Sequence, residues 1–445
     1  MNPLIGALVL VLLGLLGARL SFTVKRAPLG PRLIVAAGTH FLFLGFLLGS
    51  HVLDLLNRGT INQLYPFLAL GLGWIGLLFG LQLDRRQLRH FPRSYLVVAL
   101  GQAVVAILLF YAVGRLLALG ALRAGPLADS LLLATAATAC ISTPAGIVLI
   151  STTFLVRGKV SQLLLFIASL DGIVGIIALQ LAYGLYHPLA YSTAGGAIDG
   201  LAWFAVAIAL GIVFGIFFLW LTRPKPEREE LTLFLLGLVV FAAGTAFYLG
   251  LSPLFLSMVI GAIVANFSPL RRQVYAVLQA WEQPIYVILL ILAGALLNFP
   301  TWVVLPLAAA YLLLRVTGKL VGGYLATHAV RLPFDAPARL GLGLIPQGGI
   351  SLAMAISVTL TYGTLQANGA EVVEALFATV VLGVVASELI GPLWTRNLLR
   401  RAGEVLPKVE SALADGGGEI PREQPGEPLP GSRDFTGSGR EGSPR

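Results

Sequence analysis

Residues Ser161 to Tyr183 read SQLLLFIASLDGIVGIIALQLAY, an apolar run long enough to cross a bilayer as a helix, with one carboxylate, Asp171, near its middle. Placing an Asp at the centre of such a helix costs roughly 2.5–3.5 kcal/mol. An acid kept there needs a partner, a cavity or a proton, and it marks a candidate functional site.

The surrounding chain supports a membrane setting. Of 445 residues, 57% are hydrophobic and 11% charged, and the mean hydropathy is +0.88. No soluble core could use so much apolar surface, so the chain is an all-α polytopic membrane protein. Its formal charge of +9 would suggest nucleic acid in a soluble protein. Here the basic residues lie in short loops between apolar runs, which points to membrane topology and excludes a nucleic-acid partner. The one cysteine, Cys140, excludes an internal disulfide and a thiol redox pair.

Counting spans of about 20 apolar residues predicts thirteen helices, near 3–20, 33–53, 64–83, 95–119, 129–154, 160–183, 201–221, 231–250, 253–268, 283–299, 301–328, 339–361 and 372–398. The first has no basic residue ahead of its apolar run and reads as a retained helix rather than a signal peptide. Loops after odd-numbered spans carry Lys25, Arg26 and Arg32, then Arg85, Arg86, Arg89 and Arg93, and so on through Arg157, Lys159, Arg223, Arg271, Arg331, Arg339 and Arg396. Loops after even-numbered spans hold only Arg58 and Arg123. The odd loops therefore face the cytoplasm, with the N-terminus outside and the C-terminus inside.

An odd number of spans permits two six-helix halves, spans 1–6 and 8–13, inserted in opposite directions and joined by span 7. Inverted repeats of this kind place broken helices at matching positions. Span 5 is interrupted by Ser142-Thr143-Pro144-Ala145-Gly146 and span 12 by Ile345-Pro346-Gln347-Gly348-Gly349, each the fifth helix of its half and each expected near mid-span. Proline removes a backbone hydrogen bond and glycine accepts an unwound geometry, which frees N–H and C=O groups at membrane depth. Two such breaks in register indicate a crossed pair rather than ordinary kinks. The transmembrane domain thus covers residues 1–402. Residues 403–445, rich in Gly, Pro, Glu, Ser and Arg, cannot bury enough apolar surface to fold and read as a disordered cytoplasmic tail.

Beyond Asp171, the spans contain Arg315 and Lys319 four residues apart on one face of span 11, Glu388 in span 13 and His40 in span 2. By helical rise, Asp171, Lys319 and Glu388 lie about 12–18 Å from their cytoplasmic helix ends, at comparable depth. Lys319 is the only one of five lysines inside a span. Because lysine can lose its proton on burial, Lys319 is the expected partner of Asp171, and Arg315 and Glu388 are further charge partners. No His/Cys/carboxylate cluster has metal-ligand spacing, and no glycine-rich nucleotide motif follows the spans, so no enzyme activity, resident metal or cofactor is expected.

Several of these stretches carry a family likeness. The thirteen-span plan, the two breaks, Leu170-Asp171-Gly172, PIYVILLILAGALLNF at Pro284 to Phe299 and GLGLIPQGGISLAMAI at Gly341 to Ile356 resemble the monovalent cation:proton antiporters, and most of all the second cation:proton antiporter family. Gln347-Gly348-Gly349 and Lys319 match that family's span 12 motif and span 11 lysine. The chain departs from common family patterns at Leu170 before the acid, at Thr143, at Phe166 and Gln347 where sodium exchangers often hold a Glu–Arg pair, and at Ile350. The resemblance implies a scaffold-plus-core fold, a homodimer in the lipid bilayer and elevator-like movement of the core. It also implies 1:1 electroneutral exchange, since one acid follows a neutral residue.

The expected function is secondary active exchange of Na⁺ or K⁺ for H⁺ across a bacterial-type plasma membrane, the inner membrane. Asp171, Thr143 and Ser142 would hold the cation or proton, and the groups freed around Pro144, Gly146, Pro346, Gln347, Gly348 and Gly349 would complete the site. A same-fold carrier of another solute, such as an organic anion, and a non-transporting sensory protein are the alternatives. The short tail, without a large output domain, argues against the second.

Overall fold

A computed structural model of the chain describes residue 12 and residues 38–405, other than 51, 57, 119–124, 157, 188–199, 225 and 364–366. The span expected at 3–20, apart from Leu12, and the tail beyond residue 405 lie outside the described residues. Among the described residues the protein is helical, with only an isolated bridge between Gly49 and Leu56.

The helices are α1 (Thr39–Leu48), α2 (Arg58–Leu81), α3 (Arg93–Ala118), α4 (Pro126–Cys140), α5 (Pro144–Thr153), α6 (Lys159–Leu185) and α7 (Gly200–Leu221). There follow α8 (Arg228–Tyr248), α9 (Pro253–Phe267), α10 (Arg271–Leu296), α11 (Val304–Ala329), α12 (Gly349–Tyr362) and α13 (Ala367–Arg401). Among the described residues nine helical stretches, taking α4 and α5 as one, are long and apolar enough to cross a membrane, and α1, α9 and α12 are shorter apolar helices. These twelve correspond one for one to spans 2–13. Ile216, Phe217, Trp220, Phe241, Leu305 and Leu313 point outward from α7, α8 and α11. Such a belt suits lipid, not water.

Helix ends that the span count puts on one side meet one another. Asp84, after span 3, pairs with Arg271 after span 9 at 3.4 Å. Glu404, after span 13, accepts hydrogen bonds from the Val160 and Ser161 amides in the first turn of α6, at 2.7 and 2.9 Å. On the even side, Asn298, just past the end of α10, donates to Glu374 in the first turns of α13 at 2.8 Å. Helix ends and loops of the odd side thus meet one another, and so do those of the even side.

The helices sort into two packing groups. In one, α1 lies on α10 and α2 on α9, with α8 against α2; in the other, α3 lies on α11, α4 on α6, and α12 on α13. Exchanging spans 2 with 9, 3 with 10, 4 with 11, 5 with 12 and 6 with 13 turns the α1–α10 pair into α9–α2 and the α4–α6 pair into α12–α13, and leaves α3–α11 unchanged. That is the pattern of an inverted repeat, and the two groups meet along α2, α6, α7, α10 and α12.

Two expected boundaries move. The helix expected at 283–299 begins twelve residues earlier, at Arg271, because Val274, Val277 and Leu278 bury one face of its first turns, and the helix then runs on through Pro284. The break in span 12 does not lie at mid-span. Only a five-residue 3-10 turn, Leu340–Leu344, precedes it, since the alternating glycines of LGLGL disfavour an α-helix.

Candidate functional site

The two interruptions cross at the centre of the second packing group. Ile141, Ser142 and Thr143 separate α4 from α5, and 345–348 separate the 3-10 turn from α12. The Thr143 amide donates to the Pro346 carbonyl at 2.9 Å, a main-chain bond that ties one break to the other. Gly348 adopts φ +68°, which a side chain would resist, and so turns the chain sharply into α12. Gly146 faces Pro346, and Gly349 lies against the Tyr286 ring.

Unwound segments expose helix ends, and two charged side chains occupy them. The Arg315 guanidinium, 1% exposed, donates to the carbonyls of Ala139, Leu344 and Ile345, the last at 2.8 Å. These are the carboxyl ends of α4 and the 3-10 turn, where the peptide dipoles leave partial negative charge. The Glu388 carboxylate accepts from the Gln347 and Gly348 amides, at 3.1 and 2.5 Å, at the positive amino end of α12. Arg315 and Glu388 therefore pair with the helix ends and not directly with Asp171 or with each other. Gln347 donates through Nε2 to the Thr138 carbonyl at 2.9 Å and to the Tyr311 hydroxyl at 2.6 Å, binding α12 to α4 and α11.

Asp171 lies beside this crossing, fully buried. Lys319 Nζ reaches its Oδ2 at 2.6 Å, with no exposure of either side chain. Ser142 Oγ sits 2.7 Å from the same oxygen and 2.8 Å from the Leu344 carbonyl, so its single proton can serve either. Gln102, also fully buried, donates through Nε2 to Asp171 Oδ1, while its Oε1 lies 3.4 Å from Lys319 Nζ. Thr143, which sequence places with Ser142, instead caps α5, its Oγ1 accepting from the Ala145 amide at 3.3 Å.

The local sequence explains this convergence. Tyr311, Arg315 and Lys319 recur every four residues on the buried face of α11. Ala99, Gln102, Ala103 and Ala106 form the matching face of α3. A Cβ at Gly322 would stand 2.6 Å from the Gln102 carbonyl, so only glycine lets the two helices come this close. Asp171 follows Leu170 on α6, and Gly172 lies under the Phe79 ring of α2, at the seam between the packing groups.

Sequence reading missed Gln102, because it sought formal charges at membrane depth. Gln102 is the only amide side chain in the apolar run 95–119, and that isolation was the available signal. Tyr311 and Thr138 were missed for the same reason.

As chemistry, the site holds two buried acids and two buried bases whose formal charges cancel. Of these four, only Asp171 and Lys319 form a direct ion pair. Among the described residues no group of three or more His, Cys, Asp or Glu could hold a metal ion.

The fold is that of known antiporters. The structure of the sodium proton antiporter MjNhaP1 from Methanocaldococcus jannaschii at pH 8 superposes with a TM-score of 0.65 at 13% identity, over 90% of this chain and 99% of that one. An electron microscopy structure of the same antiporter gives 0.55 at 16% identity, over 90% and 97%. A comparison with curated proteins finds no match in sequence. The family model described as the sodium/hydrogen exchanger, transmembrane, matches residues 8–401, nearly the whole chain, and the protein therefore belongs to the sodium/hydrogen exchanger family.

Proposed function

We propose that this protein exchanges a monovalent cation, Na⁺ or K⁺, for H⁺ by a single-site competition at Asp171. The observation that carries the reading is the fully buried contact of 2.6 Å between Lys319 Nζ and Asp171 Oδ2 at the crossing of the two breaks. The ammonium acts as a built-in counter-ion. It holds the carboxylate while the site is empty and gives way when a cation or proton arrives, with Ser142 and the carbonyl of Leu344 adding neutral oxygen. Arg315 and Glu388 hold the helix ends in every state, so the ion itself need not repair them.

Leu170 cannot hold a second proton, so one carboxylate carries one proton or one cation and the exchange is 1:1 and electroneutral. The group containing α3–α6 and α11–α13 moves as a core against the group containing α1, α2 and α8–α10, in a homodimer of the plasma membrane. In this topology the odd loops and the tail face the cytoplasm. The packing groups, the membrane belt and membership of the exchanger family support this reading.

The test is exchange in proteoliposomes with an interior pH dye, challenged in turn with Na⁺, K⁺, Li⁺ and Rb⁺. Cation-dependent proton flux is expected for the wild type and not for Asp171→Asn, which is nearly isosteric but cannot cycle a proton. Retained flux in a folded Asp171→Asn protein would sink the single-site mechanism.

A further inference from the structure

We propose that Gln102 is a ligand of the transported cation, its Oε1 turning from the Lys319 ammonium to the ion when the ion takes the ammonium's place. This rests on the exchange at Asp171 proposed above and names one further residue that sets its selectivity.

The polarity of the amide is fixed by its neighbours. An ionised carboxylate only accepts hydrogen bonds and an ammonium only donates them, so a side chain between the two must donate at one end and accept at the other. Gln102 does both: Nε2 donates to Asp171 Oδ1, and Oε1 lies 3.4 Å from Lys319 Nζ. Flipping the amide would set oxygen against oxygen and an NH₂ group against an ammonium. The close approach of α3 to α11 at Gly322 fixes the Gln102 backbone, leaving the side chain to span the pair.

Lys319 Nζ is itself a monovalent cation held by oxygen. It marks a point 2.6 Å from Asp171 Oδ2, within reach of Gln102 Oε1, and Ser142 Oγ lies against the same carboxylate oxygen. When an alkali ion displaces the ammonium, Oε1 loses a donor at a position with no access to water. A buried acceptor left without a donor is costly, and an ion at that point removes the deficit. One carboxylate, one amide oxygen and one hydroxyl make a hard-oxygen set carrying a single negative charge. Such a set suits an alkali cation and holds a divalent one poorly.

Gln102 could instead only prop the Asp171 side chain. The two roles differ in what they control. A prop lowers the rate for every cation alike, whereas a ligand changes apparent affinity and the order of preference among ions.

The experiment compares the full-length wild type with Gln102→Asn and Gln102→Leu. It measures the apparent KM for Na⁺, K⁺ and Li⁺ in pH-dye proteoliposomes and, separately, the thermal stabilisation of detergent-solubilised protein by each chloride salt. With Gln102→Leu we expect the KM of the preferred cation to rise tenfold or more and its stabilisation to vanish. With Gln102→Asn, one methylene shorter, we expect a smaller rise and a changed ratio between Na⁺ and K⁺. Wild-type KM ratios and wild-type stabilisation in the variants, with only a lower maximal rate, would overturn the proposal and make Gln102 a prop. If Gln102→Leu does not fold, Gln102→Asn decides by the same criteria. A wild type that is stabilised by a cation but moves no protons would refute the exchange reading, while loss of that stabilisation in the variants would still support Gln102 as a ligand. A wild type with neither stabilisation nor flux removes both.

Discussion

Replacing Lys319 by alanine should strand the Asp171 carboxylate without a counter-ion. At 2.6 Å and an effective dielectric of about 20, the direct attraction is about 6 kcal/mol, and most of it offsets the cost of taking both charges out of water. Removing one partner loses the attraction but keeps half the desolvation cost, so Lys319→Ala should destabilise by about 3–5 kcal/mol. At roughly 2 °C per kcal/mol for a chain of this length, the unfolding midpoint should fall by about 6–10 °C. Adding Asp171→Asn removes the stranded charge and should recover much of the loss, giving a coupling of about 2–3 kcal/mol between the two positions. Thermal unfolding of the purified wild type, both single variants and the double variant measures this. If the double variant's loss equals the sum of the single losses within about 0.5 kcal/mol, Lys319 does not neutralise Asp171 and the built-in counter-ion is wrong.

Other outcomes follow from neighbouring contacts. Arg315→Met leaves three carbonyls of two helix ends without a donor and should cost roughly 3–5 kcal/mol, with Arg315→Lys intermediate because one ammonium cannot span all three; thermal unfolding reads both. Glu388→Gln keeps one acceptor for the two α12 amides and should cost about 1–2 kcal/mol with exchange retained, so lost exchange at near-native stability would make Glu388 a proton carrier. His187, beyond the end of α6, is stacked on Trp203 at 3.7 Å and held at a pKa of about 4 by burial, below the ordinary 6.5. The unfolded chain therefore binds the proton first, and stability should fall by roughly 1–2 kcal/mol as pH drops from 6.5 to 4, a loss that His187→Phe should flatten in unfolding curves. In Na⁺-loaded proteoliposomes, a potential set with K⁺ and valinomycin should leave the equilibrium point of exchange unmoved, provided K⁺ is not itself carried; a shift would mean that Lys319 releases its proton in every cycle.

What the sequence disclosed followed from how local each cause is. Pro144, Pro346 and the adjoining glycines break helices through their own backbone chemistry, so both interruptions could be read directly. Asp171 and Lys319 stood out because formal charge in an apolar run is rare. Their depth followed from helical rise, and the structure joins them across 148 residues. Gln102 gave little warning, since a neutral amide has meaning only beside the two charges it bridges, 69 and 217 residues away. Arg315 and Glu388 were noticed as charges but not as helix-end partners, because which carbonyls and amides fall free depends on where α4 ends and α12 begins. The early start of α10 was hidden by the polar residues of its first turns, whose buried stripe shows only against its neighbours.

The bond from the Thr143 amide to the Pro346 carbonyl is written in the main chain alone. No side chain need be kept to preserve it, so the junction constrains the path of the backbone and leaves the chemistry facing the ion open to revision. The side chains of residues 142, 143 and 347 add bonds around it, to the Leu344 carbonyl, from the Ala145 amide, and to Thr138 and Tyr311. A single substitution at one of them loosens that surrounding network, yet the amide-to-carbonyl bond can still join one break to the other.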